Sequence, residues 1–338
     1  MTHAAKRLLA GVAVLAATVA AGCGEKEESV RGGEPEPIEL MLDFFVNPDH
    51  AGIYAAIENG HFAGAGLEVT PRVPSDPAAP IKLVASGQAD LAVSYEPEVL
   101  LARDQGLDVV AVAAIVPEPL TSLISLPDAG IADPEDLRGK TVATAGIPYQ
   151  DAFIGRILRD ARVAPDEVDK VSVGLGLEQA VLSGKADAML GGFRNIEGVS
   201  LEERGENPRV VPVDDLGIPT YDELVLVANA EQVEDDPEPI RLFIAALERG
   251  TQDAVDDPEA ATDAILQAGD GLDPKLTAAE IDATLPLLLP GGKRPYGHMD
   301  QGEWEEFGGF LADEGFLKAR PQPGDGFTNE LLPGDVPE

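Results

Sequence analysis

The chain has 338 residues, with 24 lysines and arginines against 61 aspartates and glutamates, for a formal net charge of −37. A surface this acidic repels nucleic acid and anionic lipid, excluding both as docking partners, and it disfavours small polyanions unless a basic cluster gathers locally. Cys23 is the only cysteine, so no disulfide can form within the chain and the fold must stand on its core.

In chain order, Lys6 and Arg7 precede an apolar stretch from Leu8 to Ala21, followed by Gly22-Cys23-Gly24. This is the charged, apolar and small-residue pattern of an export leader, too short for a comfortable membrane span. Ala20-Ala21-Gly22-Cys23 resembles a bacterial lipobox, with alanine where leucine is more usual. Residues 1–22 therefore read as a lipoprotein signal peptide and Cys23 as the lipidated new terminus, anchoring an extracytoplasmic protein to the bacterial membrane by lipid alone. Cleavage removes two bases and no acid, shifting the charge from −37 to −39. Residues 23–37 are rich in Glu, Gly and Pro and read as a flexible tether.

Strand and helix signals then alternate. Strands are predicted at 38–42, 67–73, 91–94 and 109–116, with helices at 48–59, 78–86 and 98–105 between them. A second α/β unit follows, with strands at 141–145, 171–174, 188–190 and 210–213 and a helix to about 161. A strand at 223–228 returns to the first unit, and helices at 238–255, 258–267, 277–288 and 302–314 complete it. Asp-Pro pairs at 133, 236, 257 and 273 read as helix starts, with Asp as cap and Pro in the first turn. Alternation of this kind predicts α/β lobes with mainly parallel sheets covered on both faces.

Within this pattern lies a near-repeat. Val84-Ala85-Ser86-Gly87-Gln88-Ala89-Asp90-Leu91-Ala92-Val93 returns as Val181-Leu182-Ser183-Gly184-Lys185-Ala186-Asp187-Ala188-Met189-Leu190. Each copy reads as a helix end, a Ser-Gly stop and a buried strand. The repeat implies two similar lobes, one at 38–118 plus 222–338 and the other at 128–215. Two hinge crossings, near 115–128 and 214–224, would permit rigid-body closure. This is the plan of a type II periplasmic-binding-protein-like fold.

Ligands in open α/β sheets sit beyond the carboxyl ends of the strands. The first such loop carries Asp43, Phe44, Asn47, His50 and Tyr54, an inventory suited to a flat, hydrogen-bonding heterocycle. The two repeated strands deliver Tyr95 and Glu96 on one lobe and Phe193, Asn195 and Glu197 on the other. Tyr149 starts a helix after the strand at 141–145, and Tyr221 and Glu223 lie at the returning crossover. Phosphate-binding glycine loops, zinc-type His-Glu pairs and Ser-His-Asp spacing are absent, so neither metal nor cofactor is expected and the chain does not read as an enzyme.

Asp43 to Tyr54, Gly60-His61-Phe62, Gly66-Leu67-Glu68-Val69, Pro74-Ser75-Asp76-Pro77 and Leu137-Arg138-Gly139-Lys140-Thr141-Val142 together resemble bacterial substrate-binding lipoproteins of the thiamine-pyrimidine-synthase-like family. The likeness runs to Phe327-Thr328-Asn329. It implies a monomeric receptor that hands a small vitamin-like ligand to an ABC permease, with a thiamine-type pyrimidine precursor as first choice. Riboflavin or an organosulfonate is the alternative. Phe44 stands where the family commonly has Trp. Phe193, Asn195 and Glu197 match the family's Phe-Trp-Asn-Tyr-Glu loop, while Arg194 and Ile196 replace two aromatics. The synthase branch uses a His, a Lys and a cysteine-rich run, whereas this chain has Ser94 to Pro97 and Gly217 to Glu223 at those places.

Overall fold

The computed structural model describes residues 34–289, 294–322 and 324–334. The leader, Cys23 and most of the tether lie outside the described residues. Ten strands form two five-stranded sheets: β1 (Glu36–Met41), β2 (Leu67–Arg72), β3 (Leu91–Ser94), β4 (Val109–Val116), β5 (Thr121–Ser125), β6 (Thr141–Thr144), β7 (Asp169–Ser172), β8 (Ala188–Phe193), β9 (Arg209–Pro212) and β10 (Leu224–Asn229). The strand orders are β2-β1-β3-β10-β4 and β7-β6-β8-β5-β9. Helices cover both sheets, and the central strands are accordingly buried on both faces: every residue of β3 and of β5 is buried, and β10 is buried through Ala228.

Four of the five strands in each sheet run the same way, as expected of mainly parallel sheets, and one strand in each runs against them. Each has two parallel pairings, β1 with β2 and β3 and β6 with β7 and β8. Each also has two antiparallel pairings, made by β10 in the first sheet and β5 in the second. The cause is the chain path. β5 and β10 are the strands entered directly from a crossing, so they run away from the cleft while their neighbours run toward it. β5 was not foreseen; Thr121–Ser125 lies inside the stretch read as hinge, and the second sheet begins there rather than after residue 128. The tether also ends earlier than expected, because Glu36 and Pro37 pair with Leu67 and Glu68.

The near-repeat has one physical role in both copies. Gly87 and Gly184 take φ of +67° and +70°, ending the helices Pro80–Ala85 and Leu177–Leu182 in left-handed space. Asp90 Oδ2 accepts from the Glu39 N–H at 2.7 Å while its own N–H donates to the Glu39 carbonyl at 3.1 Å. Asp187 does the same to Thr141, at 2.8 Å in both directions. Each aspartate thus pins the register between an incoming strand and its neighbour.

The caps at Asp257 and Asp273 form as read, accepting from the Ala260 and Leu276 N–H groups. Asp133 caps a short 3-10 turn, Pro134–Leu137. Asp236 is a correction: it closes the helix Ala230–Asp235, and the helix Glu238–Asp256 starts without a side-chain cap.

Candidate functional site

The carboxyl ends of β1, β3, β6 and β8 converge on a narrow cavity between the lobes. Of the anticipated residues, Asp43, Phe44, Asn47 and Tyr95 line it from the first lobe, and Tyr149, Phe193 and Glu197 from the second. Tyr95 is the aromatic hub, its ring centroid 5.8 Å from Tyr149 and 6.5 Å from Phe193. As the lobes stand the cavity has only about 20 Å³ free, so a ring enters by parting them.

Asp43 is held from two sides. Its Oδ1 lies 2.9 Å from His50 Nε2, and its Oδ2 accepts from the Tyr95 hydroxyl at 2.9 Å. His50 Nδ1 in turn accepts from the Asn47 N–H at 3.3 Å, which leaves the proton of a neutral ring on Nε2, facing Asp43. His50 is fully buried and lies behind Asp43 rather than in the cavity, so its place is to position that carboxylate.

Glu197 opens the helix Glu197–Glu203 just after β8, and its Oε2 accepts from the Phe193 N–H at 2.8 Å. Burial pushes its carboxyl up to about 7, against the pull of that N–H. Asn195, between them, turns away from the cavity and bridges the lobes. Its Nδ2 donates to Asp49 Oδ1 at 2.7 Å and to Thr284 Oγ1 at 2.8 Å. Burial, with Asp43, Glu197 and Glu223 nearby, raises Asp49 well above the usual carboxylate range.

Besides His50 and Asn195, four more anticipated residues lie outside the cavity. Glu96 points into the first lobe, where its Oε2 accepts from the Asp222 N–H at 2.8 Å. Burial raises both the Glu96 and Asp222 carboxyls, and each is close to other acids. Tyr221 packs in an aromatic cluster, 4.8 Å from Phe307 and 5.6 Å from Phe153, and donates to Glu223. Glu223 accepts from the Leu120 and Thr121 N–H groups and from the Thr121 and Tyr221 hydroxyls, so it ties the two crossings together. Tyr54 sits on the helix Ala51–Glu58, half-buried against the core. Glu96, Tyr221 and Glu223 follow or precede strands of the first sheet, yet their side chains turn away from the cavity.

Gln150 and Gly191 were missed. Gln150 Oε1 accepts from the Ala145 N–H at 2.9 Å and fixes the loop after β6. Gly191, at φ +110°, lets the Gln150 amide approach so closely that a Cβ there would lie 2.2 Å from Nε2. Gln150 follows Tyr149 at the helix start and could have been picked up by the same reasoning.

A two-lobed α/β frame with an aromatic- and carboxylate-lined cavity between its lobes defines the solute-binding-protein fold. The alkanesulfonate-binding protein SsuA from Xanthomonas axonopodis pv. citri superposes with a TM-score of 0.69 at 14% identity, covering 88% of this chain and 99% of that one. SsuA from Escherichia coli gives 0.64 at 15% identity, covering 85% and 95%. The NMT1/THI5-like family model matches residues 47–261, and the chain belongs to that family. It is 35% identical over 299 residues to a formylaminopyrimidine-binding protein of Halalkalibacterium halodurans, covering 87% of this chain and 90% of the relative. A putative thiamine biosynthesis protein of Haemophilus influenzae is 33% identical, covering 83% and 88%. A 4-amino-5-hydroxymethyl-2-methylpyrimidine phosphate synthase of Aspergillus parasiticus is 26% identical, covering 67% and 69%.

Proposed function

We propose that this protein is the solute-binding lipoprotein of an ABC importer and that its solute is an aminopyrimidine precursor of thiamine. Glu197 carries the reading. It faces Asp43 and Tyr95 across a cavity walled by aromatic rings from both lobes. An aminopyrimidine presents an exocyclic N–H donor beside a ring-nitrogen acceptor. A carboxyl that holds its proton near neutrality matches both, donating to the ring nitrogen while accepting from the amine. Phe44, Tyr95 and Phe193 offer faces to the ring. The bacterial relatives' names, one for binding formylaminopyrimidine and one for thiamine biosynthesis, support the same solute class.

Cys23 anchors the protein outside the cytoplasmic membrane, the lobes at 38–118 plus 222–338 and about 121–215 close as rigid bodies, and the receptor acts as a monomer. It is not a synthase. The inner cavity is lined by neither lysine nor cysteine, and its nearest histidine, His50, is committed to Asp43 and Asn47. The deciding experiment is calorimetric titration with formylaminopyrimidine, riboflavin and taurine. Removing the partner of a buried donor costs about 1–3 kcal/mol, or roughly tenfold to a hundredfold in affinity. Glu197→Ala and Phe44→Ala are each expected to weaken the pyrimidine at least tenfold with the fold intact. Tight flavin or taurine binding without a pyrimidine response would replace the solute, and full pyrimidine affinity in both variants would remove the site.

A further inference from the structure

Beside the inner cavity lies an outer compartment of about 350 Å³ that shares Phe44, Asn47, Ile196 and Glu197 with it. Four acids line this outer space: Asp273 caps its own helix through the Leu276 N–H, and the other three stand on three helices. Glu178 lies on Leu177–Leu182 and Glu197 on Glu197–Glu203, both in the second lobe, while Glu280 lies on Pro274–Leu288 in the first. Closure therefore brings acidic groups of both lobes together across the cleft.

Their cations do not balance. Arg204, the one base lining the compartment, is committed to Glu178 at 2.9 Å. Lys275 on the rim is 83% exposed and pairs with Glu203. Glu280 is 8% exposed and lines the compartment, yet it has no hydrogen-bond or ion-pair partner among the described residues. A mostly buried carboxylate that faces a solvent-filled pocket is disfavoured there, and gains from a cation beside it or from taking up a proton. Apolar walls from Phe45, Leu272 and Leu276 strengthen any charge interaction made there, and the phenyl faces themselves attract a cation.

We propose that the outer compartment receives a positively charged substituent borne by the pyrimidine, with Glu280 as its counter-ion. This rests on the pyrimidine reading above and narrows it from aminopyrimidines in general to those carrying a cation. It also gives closure a chemical trigger, since a bound cation attracts acids that stand on both lobes. Burial, then Glu197, Glu178 and Asp49, push the Glu280 carboxyl up to about 8, with Arg204 opposing. At pH 7.5 the free protein therefore largely holds that proton, and a bound cation drives it off.

The test is calorimetry at pH 7.5 and fixed ionic strength with three probes. These are an aminopyrimidine with a free aminomethyl arm, its neutral N-formyl derivative, and thiamine, whose cation is a thiazolium. The cationic probes are expected to bind at least tenfold more tightly than the neutral one, and the stronger of the two tells an ammonium from a ring cation. Their binding heat should vary with buffer ionisation enthalpy, reporting proton release. Glu280→Gln, which mimics the protonated carboxyl, should cut the preference to threefold or less, abolish the proton release and leave the neutral probe's affinity within twofold. Equal affinity for neutral and charged probes in the natural protein, or an undiminished preference in Glu280→Gln, overturns this inference while the pyrimidine reading stands. Failure of all three probes to bind overturns both.

Discussion

Glu223 and Thr121 join the two chain segments that cross between the lobes. Glu223 Oε2 accepts from the Thr121 N–H at 2.7 Å, and its Oε1 from the Thr121 hydroxyl at 2.9 Å. With Leu120 N–H and the Tyr221 hydroxyl also donating to Oε2, one buried carboxylate serves four donors. Four donors and no competing acceptor favour the ionised form, although burial raises this carboxyl. Glu223→Gln replaces one acceptor oxygen with an NH₂ that faces donors. The expected loss is about 1–3 kcal/mol of stability, the cost of stranding a buried donor, read as a lower urea midpoint at unchanged slope. An unchanged midpoint would mean that the crossings are held by packing alone.

Asn195 closes the cleft without lining the inner cavity. Asn195→Ala removes the bonds to Asp49 and Thr284 that span the lobes. Ligand dissociation is expected to quicken fivefold or more in stopped-flow displacement, with association little changed, because the variant loses a contact made only when closed. A slower association with unaltered dissociation would place Asn195 in the entry step instead.

Stability should fall as pH rises from about 4 to 8. Burial raises Glu98 and Glu197 to about 7, and raises Glu280 to about 8. The folded chain therefore binds more protons than the unfolded chain throughout this window. The slope of unfolding free energy with pH follows unfolded minus folded proton binding, so it is negative there. The stabilisation is complete below the unfolded carboxylate range and lost as pH passes the folded values. Self-repulsion of the net negative surface acts in the same direction. The melting temperature of ligand-free protein at constant ionic strength should be higher at pH 5 than at pH 8. A rise across that interval would show that paired carboxylates dominate.

Two helices of the first lobe touch through glycine. A Cβ on Gly250 would lie 2.3 Å from the Gly52 carbonyl oxygen and 2.5 Å from Ala56. Both obstacles belong to Ala51–Glu58, which carries the first binding loop into the core. Gly250→Ala should force the helices apart, costing about 1–3 kcal/mol by overpacking and lowering the urea midpoint. A neutral outcome would mean that the helix pair slides freely.

The frame of this fold was legible because buried strands and glycine stops leave strong local marks. The apolar runs after Gly87 and Gly184 proved to be β3 and β8, and their aspartates made equivalent ties. The one reversed strand of each sheet was not legible, since a short buried run looks the same entered from either end. Thr121–Ser125 escaped because three of its five residues are hydroxylated and resemble a linker. The site shows the same limit. Phe44, Tyr95, Phe193 and Glu197 were found by residue type at the correct sheet edge. Glu96 and Glu223 share both type and edge, yet each turns its Oε2 to backbone N–H groups that only the folded crossings bring near.

The strand orders also bear on how the chain assembles. The second sheet draws all five strands from one continuous stretch, Thr121 to Pro212, and can complete itself from neighbours close in sequence. The first sheet cannot. β10 lies between β3 and β4, so that sheet has a gap in its interior until Leu224–Asn229 arrives, more than a hundred residues after Val116. Long-range closure of this kind is slow and leaves strand edges unpaired meanwhile. The lobe that begins the polypeptide is thus the last to become whole, and its two waiting edges are where a nascent or refolding chain is most open to mispairing.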